Sequence, residues 1–268
     1  MNLKISLPLQ LRGKPLMSGG KTLLCSFFIL VLAACSSAPI LTEDSTAWLT
    51  KETPNLILHY QPRSYAASRI NIAAAEYERS YRQAVSIIPV DKTKPKLDVY
   101  LHDSLKAAGH ANRNNRSSHY VYSRRFQLTS AHEMMHLFLY EMNSNVPIRL
   151  EEGTCRLFES RVMFTSRVRL FQLAKLAPPR SWDVREVFKD GYRTDAEGNV
   201  AAAFAQFFIS TRGWQQYWAF YRTLDKRTWE AQLQRAFGQN TAAINRDFKV
   251  FIRGMKSPSA LFRGARAL

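Results

Sequence analysis

The sequence predicts a compact α+β protein in which a small sheet lobe precedes a mainly helical part. Hydrophobic residues make up 46% of the 268 residues and aromatic residues 12%, which excludes disorder as the dominant state. The sheet lobe is predicted for residues 53 to 125 and includes a helix from about Pro62 to Val85. From there on, helical apolar spacing prevails. A span of about 200 residues is long enough to bury a sizeable core.

The first 34 residues have the features of a secretion signal. Lys21 precedes an apolar run from Thr22 to Ala34, which is too short to span a bilayer comfortably. The run ends in Leu32-Ala33-Ala34-Cys35, which resembles the bacterial lipobox and implies cleavage before Cys35 and lipidation of its thiol. Ser36 resembles an outer-membrane sorting signal. We expect a lipid-anchored protein of the bacterial cell envelope, on the outer membrane facing the periplasm, with an ordinary secretory signal as the alternative.

These features divide the chain into four parts. Residues 1–34 are the signal peptide, 35–52 the lipidated cysteine and its tether, 53–256 the folded domain and 257–268 a tail. Cys25 would leave with the signal and Cys35 would carry lipid. Only Cys155 then remains, so no intrachain disulfide is expected, and a buried apolar cysteine is favoured over a metal ligand.

The pentapeptide His132-Glu133-Met134-Met135-His136 indicates a metal site. Around it the chain has no Gly or Pro and carries helical apolar spacing, so the motif is predicted to lie on a helix. Residues four apart share one helix face, so both imidazoles can reach a single zinc ion while Glu133 lies beside it. This arrangement predicts a metal-dependent hydrolase.

A catalytic zinc ion usually has three protein ligands, and a second acidic segment follows the motif. Pro147 suits the first turn of a helix that carries Glu151 and Glu152. We predict Glu152 as the third ligand. Glu151 competes for this role, because about 100° separates neighbouring residues on a helix and only one of the two carboxylates can face the histidines.

The two metal segments resemble those of the gluzincin zinc peptidases, whose HExxH helix is followed by a helix with a Glu-Gly pair, here Glu152-Gly153. The resemblance covers roughly residues 53 to 254 and implies a peptidase MA-like fold: a mixed sheet lobe with helices, a zinc-bearing helix between lobes and a mainly helical C-terminal lobe. It also implies one Zn²⁺ per chain and peptide-bond hydrolysis with Glu133 as general base. Two further roles follow from it: Tyr192 as the donor to the oxyanion, and Glu159 as the carboxylate that orients a ligand imidazole.

The chain is strongly basic, with a formal net charge of +17. In an envelope lipoprotein this charge favours anionic envelope polymers or lipid headgroups as partners, besides a peptide or protein substrate, and no nucleic-acid motif is present. Three classes of function remain open at this point. They are an active zinc peptidase, a noncatalytic binding lipoprotein on the gluzincin scaffold, and a basic envelope-tethering protein.

Overall fold

The protein combines one five-stranded sheet with one helix that lies between the second and third strands in the chain and further helices that follow the last strand. The computed structural model describes residues 48–91, 94–105, 109–127, 129–162, 174–175, 177–191 and 194–254. Within these residues the α+β fold class is confirmed. The strands are β1 (Leu49–Glu52), β2 (Leu56–Tyr60), β3 (Leu97–His102), β4 (Gly109–Asn112) and β5 (Ser117–Val121); the helices are α1 (Tyr65–Val85), α2 (His132–Met142), α3 (Ile148–Val162), α4 (Val184–Val187), α5 (Asp195–Arg212), α6 (Trp214–Thr223), α7 (Trp229–Phe237) and α8 (Thr241–Gly254), with a 3-10 turn at Pro179–Trp182.

The sheet is mixed, in the order β1-β2-β3-β5-β4. The three central strands β2, β3 and β5 are parallel, and the edge strands β1 and β4 are antiparallel to their neighbours. β1 lies within the residues that the sequence assigned to the tether. All four of its residues are exposed, so no hydrophobic alternation marks this strand, and backbone pairing with β2 alone defines it.

The polar segment from Gly109 to Arg125 is where the sheet departs most from expectation. The polar composition of this segment predicts a loop that leads into a short strand at Tyr120 to Tyr122, with that strand available to bind a substrate backbone. Instead, β4 and β5 form a hairpin and β5 lies between β3 and β4. β5 therefore has no free edge; the free edge belongs to β4. Pairing with β3 overrides the low strand propensity of these polar residues.

The inner face of the sheet packs on α1. Leu58, Val99 and Leu101 are fully buried there, and the Tyr120 ring lies 5.0 Å from the Tyr77 ring of α1. α1 begins at Tyr65 rather than at Pro62, because the Ser64 hydroxyl accepts a hydrogen bond from the backbone N–H of Ala67 at 3.1 Å and caps the helix.

The helical part is built around a close approach of α3 and α5. A Cβ atom placed on Gly153 would lie 2.5 Å from the Cβ of Ala201, so no other residue type fits at this point without moving a helix backbone. Ala202, Phe204 and Phe208 continue the buried face of α5. The glycine next to Glu152 is thus required by packing, because it lets the two helices touch along their backbones. Among the described residues, no helix combines the length and the hydropathy needed to cross a membrane.

The outer face of the sheet carries four of the six histidines of the chain. One row crosses the sheet from His59 through Tyr100 and His119 to His110, with ring centroids 4.2, 4.7 and 4.3 Å apart and nearly parallel planes. His102 joins this row, because its Nε2 lies 3.1 Å from Nδ1 of His119. Burial and the neighbouring His110 lower the pKa of His102 to about 4, and burial with the surrounding histidines lowers the pKa of His119 to about 3.

The histidine row makes the stability of the fold depend on pH. The pKa of an unfolded histidine is about 6.5, so the folded chain binds fewer protons than the unfolded chain below that value. The contribution of His102 is complete above pH 6.5, falls as the pH drops and is lost below about 4. We expect the thermal unfolding temperature to fall from pH 7 to pH 4.5, and to fall less in His102→Asn. A chelator in every sample removes the pH dependence of metal binding, and an equal pH dependence in both proteins would contradict this account.

Candidate metal centre

Three side chains bring potential metal-ligating atoms together between α2 and α3. His132 and His136 lie on one face of α2, and their Nε2 atoms are 3.2 Å apart. Oε2 of Glu152, on α3, lies 3.2 Å from Nε2 of His136 and 3.6 Å from Nε2 of His132. All three residues are buried, and they form the one group of three such side chains that is close enough to share a metal ion among the described residues.

The spacing of these atoms fits a zinc ion. Tetrahedral zinc with ligands at about 2.0 to 2.2 Å holds neighbouring ligand atoms about 3.3 to 3.6 Å apart. The distances in this site, 3.2 to 3.6 Å, fall close to this range. Moreover, Oε2 of Glu152 is buried and makes no hydrogen bond of acceptable geometry. A buried carboxylate oxygen in this state is costly unless a cation binds it.

A carboxylate contacts the other ring nitrogen of each of these two imidazoles. Nδ1 of His132 lies 3.1 Å from Oε2 of Glu159, and Nδ1 of His136 lies 2.7 Å from Oε1 of Glu151. A proton on Nδ1 satisfies both contacts and leaves the Nε2 lone pair of each ring for a metal. The resemblance implied this contact for Glu159, whose orienting role stays a prediction. The role of Glu151 on His136 is new, because the sequence considered it only as a competing ligand.

The geometry distinguishes the two adjacent glutamates. Glu152 points its Oε2 toward both Nε2 atoms, while Oε1 of the same carboxylate accepts a hydrogen bond from Nε of Arg156 at 2.6 Å. Although burial raises the pKa of the Glu152 carboxyl, the nearby His132, His136 and Arg156 bring it well below its usual value. Glu152 is therefore ionised and directed at the site, whereas Glu151 lies on the far side of the His136 ring.

Arg156 ties this carboxylate to the helical part. Besides Glu152, it donates to Oδ1 of Asp195 at 2.7 Å and to Oδ1 of Asn199 at 3.1 Å, both on α5. A Cβ atom on Gly198 would lie 2.7 Å from Nε of Arg156, so the absence of a side chain at Gly198 leaves the space that the Arg156 guanidinium occupies. The sequence offered one signal for this role, because Glu152 and Arg156 have the four-residue spacing of a helical ion pair.

Glu133 lies beside the three ligand candidates and is not one of them. Its side chain is buried, and its Oε2 has no hydrogen-bond partner. Burial raises the pKa of the Glu133 carboxyl, although His132 and His136 act in the opposite direction. Gly109, the first residue of β4, makes room for it, since a Cβ atom there would lie 3.1 Å from Oε1 of Glu133.

Three further residues that the sequence singled out are Cys155, Tyr192 and Cys35. Cys155 is a buried free thiol outside the three-residue group, and burial raises its pKa, which disfavours the thiolate that a metal requires. Tyr192 and Cys35 lie outside the described residues, as do the signal peptide and the tail. Their predicted roles therefore stay predictions.

Comparison with known proteins finds similarity to solved structures only. No protein-family model matches the sequence, and no curated protein matches it. An aminopeptidase N family protein from Idiomarina loihiensis is similar over 75% of this chain and 46% of its own length, with 13% identity and a TM-score of 0.43. The IMPa metallopeptidase from Pseudomonas aeruginosa is similar over 81% and 33%, with 11% identity and a TM-score of 0.37. The structure of IMPa in complex with an O-glycopeptide is similar over 80% of this chain and 33% of its own length, with 10% identity and a TM-score of 0.35. The chain spans less than half the length of each.

Separate substitution of Glu151 and Glu152 by glutamine tests which of the two is the zinc ligand. We expect Glu152→Gln to lose zinc, because a neutral amide replaces the anionic ligand, whereas Glu151→Gln keeps it, because the amide oxygen still accepts from Nδ1 of His136. Zinc content after dialysis against a weak chelator measures the difference. Retention of zinc by Glu152→Gln together with loss by Glu151→Gln would reverse the assignment.

Proposed function

We propose that this protein is a zinc-dependent peptidase. The observation that carries the proposal is the convergence of three buried ligand atoms, from His132, His136 and Glu152, beside the unpaired carboxylate oxygen of Glu133. Three protein ligands leave one position of a tetrahedral zinc ion open, which is the composition of catalytic rather than structural zinc sites. Structural zinc sites instead have four protein ligands.

The residues of the chain divide the chemistry between them. Nε2 of His132, Nε2 of His136 and Oε2 of Glu152 would hold the zinc ion. Bound zinc supplies a positive charge that polarises a substrate carbonyl and brings the pKa of water to about 7. Glu151 and Glu159 keep both imidazoles turned so that each Nε2 lone pair faces the site.

Glu133 is the proton carrier in this proposal. Its unpaired Oε2 takes a proton from the attacking water as the water oxygen bonds to the carbonyl carbon of the substrate. When the carbon–nitrogen bond breaks, the same oxygen returns the proton to the leaving amine. A carboxyl whose pKa is raised by burial holds a proton more readily between these two steps than an exposed one.

Glu133→Gln separates hydrolysis from metal binding. Glutamine has nearly the same size but cannot accept the proton, so we expect the variant to bind zinc as the wild type does and to lose at least about 10²-fold in peptide hydrolysis. Cleavage of a peptide library by the purified full-length chain is the measurement, and Glu230→Gln, an exposed substitution of the same kind on α7, is the control.

The outcomes of this experiment distinguish the three classes of function. Unchanged hydrolysis in Glu133→Gln would remove the proposed mechanism. Zinc binding by a wild type that cleaves no peptide would favour a binding lipoprotein, and a wild type that takes up no zinc would favour a basic tethering protein.

We also propose that the peptidase is attached to the bacterial envelope through lipid on Cys35, facing the periplasm from the outer membrane. The support is the Leu32-Ala33-Ala34-Cys35 sequence with Ser36 after it. In a bacterial host fed a labelled fatty acid, we expect the wild type to incorporate the label and to sediment with membranes. Cys35→Ser should do neither, because it lacks the thiol that is lipidated. Equal labelling of both proteins would refute the anchor.

A further inference from the structure

We infer that Arg113 is a positioning residue for the ligand His136 and that it acts through Glu151. This inference rests on the proposed zinc site. The guanidinium of Arg113 binds Oε1 of Glu151 through Nη2, and the same oxygen lies 2.7 Å from Nδ1 of His136. One carboxylate oxygen thus joins an arginine on the β4–β5 turn to a zinc ligand on α2.

Electrostatics explain why Glu151 needs this arginine. Its side chain is only 4% exposed, and the carboxylates of Glu152 and Glu133 belong to the same site. A neutral imidazole offers one hydrogen bond but no compensating charge, and a buried carboxylate without a counter-charge is unfavourable. Arg113 supplies the charge. Its guanidinium holds the Glu151 carboxylate on Nδ1 of His136, so that the Nε2 lone pair of this ring stays directed at the zinc site.

The β4–β5 turn is held so that Arg113 reaches Glu151. The turn closes at Arg116, which adopts the left-handed backbone conformation with φ of 55°. Arg116 binds Glu141 of α2 and donates to the carbonyl oxygen of Pro95 at 2.6 Å. These contacts stabilise a backbone conformation that costs energy for a residue other than glycine. The guanidinium of Arg113 in turn lies 4.7 Å from the centre of the Tyr140 ring, one helical turn beyond His136.

The inference predicts a defect in zinc affinity that depends on Glu151. In Arg113→Met, which keeps the length of the side chain but not its charge or its donors, we expect the zinc dissociation constant to rise about 10- to 100-fold. Arg113→Lys should recover part of this loss, because it restores the charge. In a Glu151→Gln background, Arg113→Met should change the constant by less than about two-fold, since a neutral amide needs no counter-charge.

The experiment uses the full-length chain in competition with a chromophoric zinc chelator. The visible absorption of the Co²⁺-substituted protein is a second readout, because it reports ligand geometry and needs no catalysis. Arg235→Ala, which removes an exposed arginine of α7, is the control for net charge. Circular dichroism of each metal-free variant shows whether the fold is retained.

Each result has a definite meaning. Weaker zinc binding and an altered Co²⁺ spectrum in Arg113→Met, both suppressed by Glu151→Gln, support the inference even if no peptide is cleaved. Wild-type affinity in Arg113→Met, or the same loss in both backgrounds, overturns the role of Arg113 while the zinc site stands. A wild type that binds no zinc overturns the role of Arg113 and the proposed function together.

Discussion

The burial of carboxylates between α2 and α3 is the constraint on which the rest of the structure depends. Glu133, Glu151 and Glu152 are almost completely buried, and Glu159 is partly so. Ionised groups in such a place are costly unless a positive or hydrogen-bonding partner meets each of them. Glu151 has Arg113 and His136, Glu152 has Arg156, and Glu159 has His132. Among the oxygens of these four carboxylates, those that stay buried without a hydrogen bond are Oε2 of Glu133 and Oε2 of Glu152, which the proposed zinc chemistry uses.

The partners of these carboxylates come from both the sheet and the helical part, so the site depends on how these two parts pack together. Arg113 arrives from the β4–β5 turn of the sheet, and Arg156 is held by Asp195 and Asn199 on α5. α5 can approach α3 this closely because Gly153 has no side chain. The Glu152-Gly153 pair therefore joins two roles: the first residue offers a potential ligand atom, and the second lets the helix that carries it pack closely on α5.

An element of the fold or of the site could be predicted from the sequence when the residues that define it are neighbours in the chain. The α2 and α3 helices were predictable, because their signals, which are apolar spacing, the HExxH motif and Pro147, each involve residues that are close together in the sequence. The β4–β5 hairpin was not, because its residues are polar and its pairing with β3 is a contact between distant segments. The same limit applied to β1, whose exposed residues carry no alternation.

The sequence by itself determined the α+β class, the two histidines that can share a metal ion and the carboxylate of Glu133 beside them, because four-residue spacing on a helix places groups on one face regardless of the surrounding fold. The choice between Glu151 and Glu152 was decided only by the tertiary structure. Their orientation depends on how α3 rotates against α2, and packing against α5 sets that rotation. The tertiary structure also brought Arg113 to Glu151, across 38 positions of the chain, and no periodicity in a sequence reports a contact of that kind.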